Sequence, residues 1–322
     1  MGATRAASRR RHKQQKAQSP RPVEAWIPIT IGAAFFQNLR SALQKHLKGR
    51  LSNTGATFSR FAYAAPLAVA YALALAALTG DELPRPNATF VLYAVVGGLA
   101  QITATALLLY SFSFRNFAVG TTYSKTETVQ TAIFGILILG DPLGLGAALA
   151  IVISLLGVMA ISVASTRMSL AGLLTSWTEK PALIGLASGA FFGISAISYR
   201  GASLSLGDQN FLIRAAYTLA CVTVFQTLVM AIYMRVREPG QLTAVFRSFR
   251  VAVWAGVTGM IASAGWFTAM TIQNAAYVRA LGQIELVFTF AAAVFFFHER
   301  PNRTEVAGIA LVIAGLLILV LH

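Results

Sequence analysis

The chain has 322 residues, of which 56% are hydrophobic and only 11% charged, with a mean hydropathy of +0.65. A soluble domain carries about 25% charged residues, so an ordinary globular enzyme is excluded. The formal net charge of +15 does not mark a nucleic-acid binder: Arg5, Arg9, Arg10, Arg11, Lys13, Lys16 and Arg21 crowd the first 21 positions, and most other cations lie between apolar runs.

Residues 1–25 are rich in Arg, Lys, Gln, Ser and Pro, with no acid before Glu24, and read as a disordered basic tail. The tail lacks the apolar core and cleavage site of a secretory signal. Two readings stay open: an uncleaved tail that holds the N-terminus inside, or an organelle transit peptide with the same Arg and Ser bias. Apolar runs of about 20 residues follow, the length that crosses roughly 30 Å of hydrocarbon. They are expected at Trp26 to Lys45, Thr57 to Leu78, Thr89 to Phe112, Phe117 to Leu139, Gly144 to Ala164, Pro181 to Tyr199, Phe211 to Met234, Val251 to Ile272, Ala276 to Phe297 and Glu305 to Leu321. The fold class is therefore all-α, a polytopic membrane protein of about ten spans. No loop is long enough to hold a catalytic domain.

Residues 115–162 overlay residues 273–320 at a constant offset of 158: Asn116 on Asn274, Glu127 on Glu285, Thr131 on Thr289, Asp141 on Glu299 and Gly157 on Gly315. Ala34, Phe35 and Phe36 match Ala190, Phe191 and Phe192 at an offset of 156. The expected units are a first repeat over 26–165, a linker over 166–180 and a second repeat over 181–322. An odd number of spans per unit forces the second copy to enter from the opposite side, the inverted-repeat plan in which binding lies near the midplane.

Glu127 and Glu285 stand near the middle of the fourth and ninth spans. A mid-span carboxylate costs roughly 2.5–3.5 kcal/mol, so each calls for a polar cavity, a partner or protonation. Substrate or proton binding and a structural interhelical hydrogen bond both fit. Helical spacing places Tyr123, Ser124, Gln130 and Thr131 on the Glu127 side, and Thr289 beside Glu285. Lys125, whose repeat partner is Gln283, points elsewhere; it fits an ion pair to another helix or an anionic substrate group. In the first span Gln37, Arg40, Ser41 and Gln44 form a polar stripe that should face the interior. Arg40 fits a carboxylate or a snorkelling role, while Arg60 and Arg214 read as interfacial anchors, with substrate contact as the alternative. Tyr110, Tyr123, Tyr199, Trp266 and Tyr277 are packing residues or ligand shelves. Gly185, Gly189 and Gly193 are a packing signal. Asp141-Pro142 and Thr304 read as N-caps, and Pro66 as a hinge.

Four scattered histidines and the lone Cys221 offer no metal-ligand spacing, and no cofactor is expected. The chain contains no GxxxxGK[ST] motif, which leaves ATP drive unsupported.

The stretch Glu127 through Ser162, with Leu139-Gly140-Asp141, together with Gly282-Gln-Ile-Glu-Leu-Val-Phe and Gly308-Ile-Ala-Leu-Val-Ile-Ala-Gly-Leu-Leu317, resembles the drug/metabolite transporter superfamily, specifically its ten-helix type with duplicated EamA domains. The resemblance implies a cavity lined mainly by spans 1, 3, 4, 6, 8 and 9. It also implies paired spans 5 and 10, cytoplasmic termini, and export or uptake of amino acids and related metabolites. Many relatives carry proline after the equivalent of Glu285, where this chain has Leu286. The basic tail agrees with termini inside, whereas Lys45, Lys48, Arg50, Arg235, Arg237, Arg247 and Arg250 argue the reverse. The expectation is a multi-pass carrier in a bacterial inner (plasma) membrane, a monomer or homodimer, acting on small polar molecules such as amino acids, zwitterions or amines. It works by alternating access, with proton coupling as one option. The alternatives are a sugar-phosphate, nucleoside or multidrug carrier of the same fold, or a membrane-embedded enzyme, flippase or channel.

Overall fold

The computed structural model describes residues 24–47, 51–114, 117–166, 172, 175–295, 298–299 and 301–321. The basic tail before Glu24 and much of the linker lie outside the described residues. The helices are α1 (Trp26–Leu47), α2 (Asn53–Thr79), α3 (Ala88–Ser111), α4 (Phe117–Ser124), α5 (Glu127–Phe134), α6 (Leu145–Thr166), α7 (Lys180–Leu204), α8 (Phe211–Arg237), α9 (Gln241–Arg247), α10 (Phe249–Ile272), α11 (Ala275–Gly282), α12 (Ile284–Phe295) and α13 (Arg303–Leu321). A π-helical turn, Gly135–Leu139, continues α5.

Among the described residues, eight segments are long and apolar enough to span a bilayer: α2, α3, α6, α7, α8, α10, α11 with α12, and α13. The protein is an all-α, polytopic membrane protein. Two of the ten expected spans fall outside that set for separate reasons. α1 carries Gln37, Asn38, Arg40 and Ser41, which dilute its hydropathy. The fourth span is cut into pieces of eight, eight and five residues.

Large apolar side chains face outward along these helices, among them Leu73, Leu92, Leu137, Leu156, Leu228 and Leu317. Such a surface is stable against hydrocarbon and unstable in water. The interior is built instead from small residues that bring backbones close. A Cβ at Gly157 would lie 2.6 Å from the carbonyl of Gly308, and one at Gly315 would strike Ser154, which fixes α6 against α13. The stripe on α7 works alike: Gly185 abuts the carbonyl of Gly120, and Gly193 faces Thr131. A Cβ at Gly189 would lie 2.9 Å from the carbonyl of Ser124.

Gly189→Val is therefore expected to cost about 1–3 kcal/mol through overpacking, read as a lowered midpoint of thermal unfolding in detergent. Gly32→Ala is the control, because nothing lies within 4 Å of its Cβ position, and it should leave the midpoint unchanged.

The helix ends show two departures from expectation. Asn302, not Thr304, caps α13: its side chain accepts from the amide of Glu305 at 2.9 Å, and the Asn302 amide donates in return to the Glu305 carboxylate at 3.0 Å. Asp141 lies four residues before α6 begins at Leu145 and pairs with Arg200. Pro66 lies within α2, which remains helical from Asn53 to Thr79.

The main packing partners are α3 with α7, α1 with α10, α2 with α8 and with α10, α3 with α8, α4 and α5 with α7, α11 and α12 with α1, and α6 with α13. α1, α2, α3, α7, α8, α10 and α11 surround a central cavity.

Candidate functional site

The fourth and ninth spans, expected as continuous helices, are both interrupted at the same point of the repeat. α4 ends at Ser124 and α5 begins at Glu127; α11 ends at Gly282 and α12 begins at Ile284. Each joint is a tight turn of i→i+3 bonds. The amides of Lys125 and Thr126 donate to the carbonyls of Thr122 and Tyr123, and the amide of Gln283 donates to that of Ala280. No proline is involved. Both breaks leave the acid in the first turn of a new helix, where the amide dipoles favour a carboxylate by about 0.3–2 kcal/mol.

Each acid meets a cation from the other half of the chain. Lys125 Nζ lies 2.8 Å from Glu285 Oε1, and Arg279 Nη1 lies 3.7 Å from Glu127 Oε1. The first contact is a hydrogen-bonded ion pair, while the second exceeds hydrogen-bond length and rests on charge. A further tie joins the two breaks, Gln283 Nε2 donating to Thr128 Oγ1 at 3.0 Å.

Glu285 is also held by Gln37 and Asn38. Its Oε2 accepts from Gln37 Nε2 at 2.9 Å, and Gln37 Oε1 in turn accepts from Trp266 Nε1 at 3.0 Å. Asn38 Nδ2 donates to the Glu285 carbonyl at 2.9 Å. The Trp266 ring is seated against Gly282, where a Cβ would lie 2.6 Å from Cη2. The Arg279 guanidinium sits 5.7 Å from the same ring.

Gln37, Trp266 and Arg279 form one wall of the cavity, and Arg40, Arg60, Gln101, Tyr199 and Gln226 form others. About 60 Å³ is open to the centres of water molecules, room on the order of four to six waters. Gln101 Oε1 accepts from Gln226 Nε2 at 2.7 Å and lies 3.0 Å from Tyr199 Oη. This network satisfies three polar groups that would otherwise be costly in the interior.

At the end of the bundle near Glu24, Arg200 closes the space between the halves. Its Nε and Nη2 donate to the Asp141 carboxylate at 2.8 and 3.1 Å, and Nη1 donates to the carbonyls of Met270 and Gln273, each at 2.7 Å. At the opposite end Ser52 Oγ donates to Glu238 at 2.7 Å, and the Ser52 amide to Gln241 at 3.3 Å.

The sequence profile of the EamA-like transporter family matches residues 24–163 and again 179–321. The chain belongs to the EamA-like transporter family. EamA proteins are carriers of small molecules, so this chain is a secondary transporter and not an enzyme. A crystal structure described only as that of a protein aligns with TM-score 0.65 over 92% of this chain and 96% of its own, at 15% identity, a likeness of fold alone. None of the curated proteins compared matches the chain significantly.

Within this EamA fold the expected residues divide into two groups. Gln37, Arg40 and Trp266 line the cavity, and Glu285, Lys125 and Glu127 adjoin it through Gln37 and Arg279. Gln283 ties the two helix breaks through Thr128, and the others serve packing or backbone bonds. Tyr123 packs with Val119, Val163 and Ala182; Ser124 Oγ donates to the Thr121 carbonyl and Thr131 Oγ1 to that of Glu127. Ser41 and Thr289 are exposed and donate to the carbonyls of Gln37 and Glu285. Tyr110 is exposed, and Tyr277 Oη accepts from the Gly144 amide.

Arg60 lines the cavity, on α2 where it packs against α10, which favours the substrate-contact reading over the anchor. The cavity also draws on the second and seventh spans, through Arg60 and Gln226, and not on the fourth, whose Lys125 stands behind Glu285. Sequence reasoning missed Arg279, Gln101, Gln226, Asn38 and Arg200. Arg279 carried a signal, a cation inside an apolar run six residues before an acid. The two glutamines, isolated in apolar helices, carried a weaker one.

Proposed function

We propose that this chain is an alternating-access carrier of small polar metabolites, whose substrate site is the central cavity between two inverted five-helix repeats, 26–165 and 181–322, joined by 166–180. The observation that carries the reading is the crosswise pairing of charges: Lys125 with Glu285, and Arg279 with Glu127. Each repeat holds the other at mid-span, so rocking one against the other reorganises the cavity between them. Packing supports the inversion, since exchanging the helices of one half for their counterparts turns α3 with α7 into α10 with α1, and α2 with α10 into α8 with α3.

The sequence expectation of amino acids and related zwitterions is compatible with the cavity through the carboxylate, which meets Arg40 or Arg279. A bare amine has a weaker case, because Glu285 and Glu127 already face cations. The driving force is a proton or substrate gradient. The membrane is a plasma membrane of the bacterial inner-membrane type, and because the site is complete within one chain, a monomer suffices.

Counterflow in proteoliposomes tests the carrier. Internal substrate should accelerate uptake of labelled external substrate, and the rate should saturate. Uptake that is linear in concentration and unaffected by internal substrate is channel behaviour and overturns the reading.

A further inference from the structure

Three guanidinium groups, those of Arg40, Arg60 and Arg279, line the central cavity, and no acid among the described residues lines it. Lys125 stands beside it. Against these four cations the neighbouring acids are Glu127 and Glu285, which leaves 4 − 2 = +2. Neither acid offers its charge to a ligand, since Glu285 accepts from Lys125 and Gln37 and Glu127 faces Arg279.

Arg40 and Arg60 form no ion pair among the described residues, and Arg60 rests 4.4 Å from the Phe61 ring. The Nε atoms of Arg40 and Arg279 are buried with no hydrogen-bond partner. A buried guanidinium N–H without an acceptor costs more than an ordinary unmade bond. Snorkelling does not account for Arg40, because its stem runs along Gly259, where a Cβ would be 3.1 Å from Arg40 Cδ, and its head enters the cavity.

We propose that the cavity is a receptor for a small organic dianion, a dicarboxylate or a phosphate monoester, with Arg40 and Arg60 as the residues that bind it. This rests on the carrier reading of the same cavity and narrows its substrate class. Two negative charges offset the excess of two positive ones. Planar guanidinium forks match carboxylate and phosphate oxygens with paired N–H donors, and Gln101 and Gln226 lie across the cavity to meet the neutral remainder. A net-neutral zwitterion leaves the excess in place, and an amine adds to it.

The test uses the purified full chain in detergent, with succinate, glycerol 3-phosphate, alanine and putrescine as probes in thermal-shift titrations. Succinate or glycerol 3-phosphate should raise the midpoint in a saturable manner, and the pair together distinguishes the two dianion classes. Alanine and putrescine should leave it unchanged. Arg40→Gln and Arg60→Gln should each weaken the response about tenfold, and Arg40→Lys should restore part of it. If a glutamine variant fails to fold, the lysine variant and the loss of dianion response at high chloride still decide the matter.

Stabilisation by alanine or putrescine with none by the dianions overturns the proposal. So does a dianion response that persists in the Arg40→Gln, Arg60→Gln double variant. Binding without counterflow removes the carrier reading and leaves the receptor standing, whereas counterflow of alanine untouched by the arginine changes does the opposite.

Discussion

Glu285→Gln should lower counterflow by more than about tenfold while the protein still folds. The substitution keeps the shape and the acceptor for Gln37 but removes the charge opposite Lys125, whose Nζ is 2.8 Å away. Truncating one partner of a fully buried pair costs about 3–5 kcal/mol. This pair is only partly buried, with side-chain exposures of 33% and 18%, so the discounted cost is on the order of 1.5–3 kcal/mol. One decade in rate corresponds to about 1.4 kcal/mol, which sets the expected loss. The effect should exceed that of Glu127→Gln, because Arg279 stands 3.7 Å from Glu127 and donates no hydrogen bond to it.

The decisive measurement is the pair of charge reversals, Lys125→Glu and Glu285→Lys, made singly and together. If Lys125 and Glu285 act as a unit, the double variant recovers more counterflow than the product of the single losses allows, a coupling of about 0.5–3 kcal/mol. Additive losses with no recovery would detach the ion pair from the transport cycle. The unfolding midpoint separates a folding defect from a transport defect in every variant.

How far the sequence spoke for this site depends on which physical signal each residue carries. Glu127 and Glu285 were legible because a charge in an apolar run is costly and the repeat aligned them. That Lys125 reaches Glu285 was legible only as an open choice, since spacing fixes a residue's own face and not the helix opposite it. The helix breaks at 125–126 and 283 were not legible. No proline or glycine cluster marks Lys125-Thr126, and the turn is held by bonds to Thr122 and Tyr123 under the close approach of Gly189 from α7. Gln101, Tyr199 and Gln226 come from three different spans and meet only through packing. Arg60 stayed open between anchor and substrate contact for a related reason: a cation near a helix start looks like an anchor until a neighbouring helix covers it. Apolar runs alone read as ten spans, whereas eight of the described helices pass on length and hydropathy; the polar stripe of α1 and the break in the fourth span account for the difference.

The largest conformational effect is expected at the end of the bundle near Glu24. Arg200 on α7, itself in the second half, reaches across to the Asp141 carboxylate of the first with two bonds and holds the carbonyls of Met270 and Gln273 within its own half with two more. The side chains of Arg200 and Asp141 are 13% and 12% exposed. The opposite end is also joined across the halves, by Ser52 to Glu238 and Gln241 at 2.7 and 3.3 Å. Both ends are tied here, so a carrier that rocks must undo the Arg200–Asp141 contact to open the Arg200 end.

Arg200→Ala leaves Asp141 unpaired and frees two carbonyls, which at about 3–5 kcal/mol for a buried pair shifts the balance toward the other state by roughly a hundredfold or more. Hydrogen–deuterium exchange should quicken at the start of α1 and the end of α10 and slow near Ser52, and counterflow should fall because the cycle stalls in one state. The Asp141→Ala, Arg200→Ala double variant removes the stranded carboxylate and should recover part of the balance. Faster exchange at both ends together would instead mean general loosening, and the contact would then be a structural clasp with no part in gating.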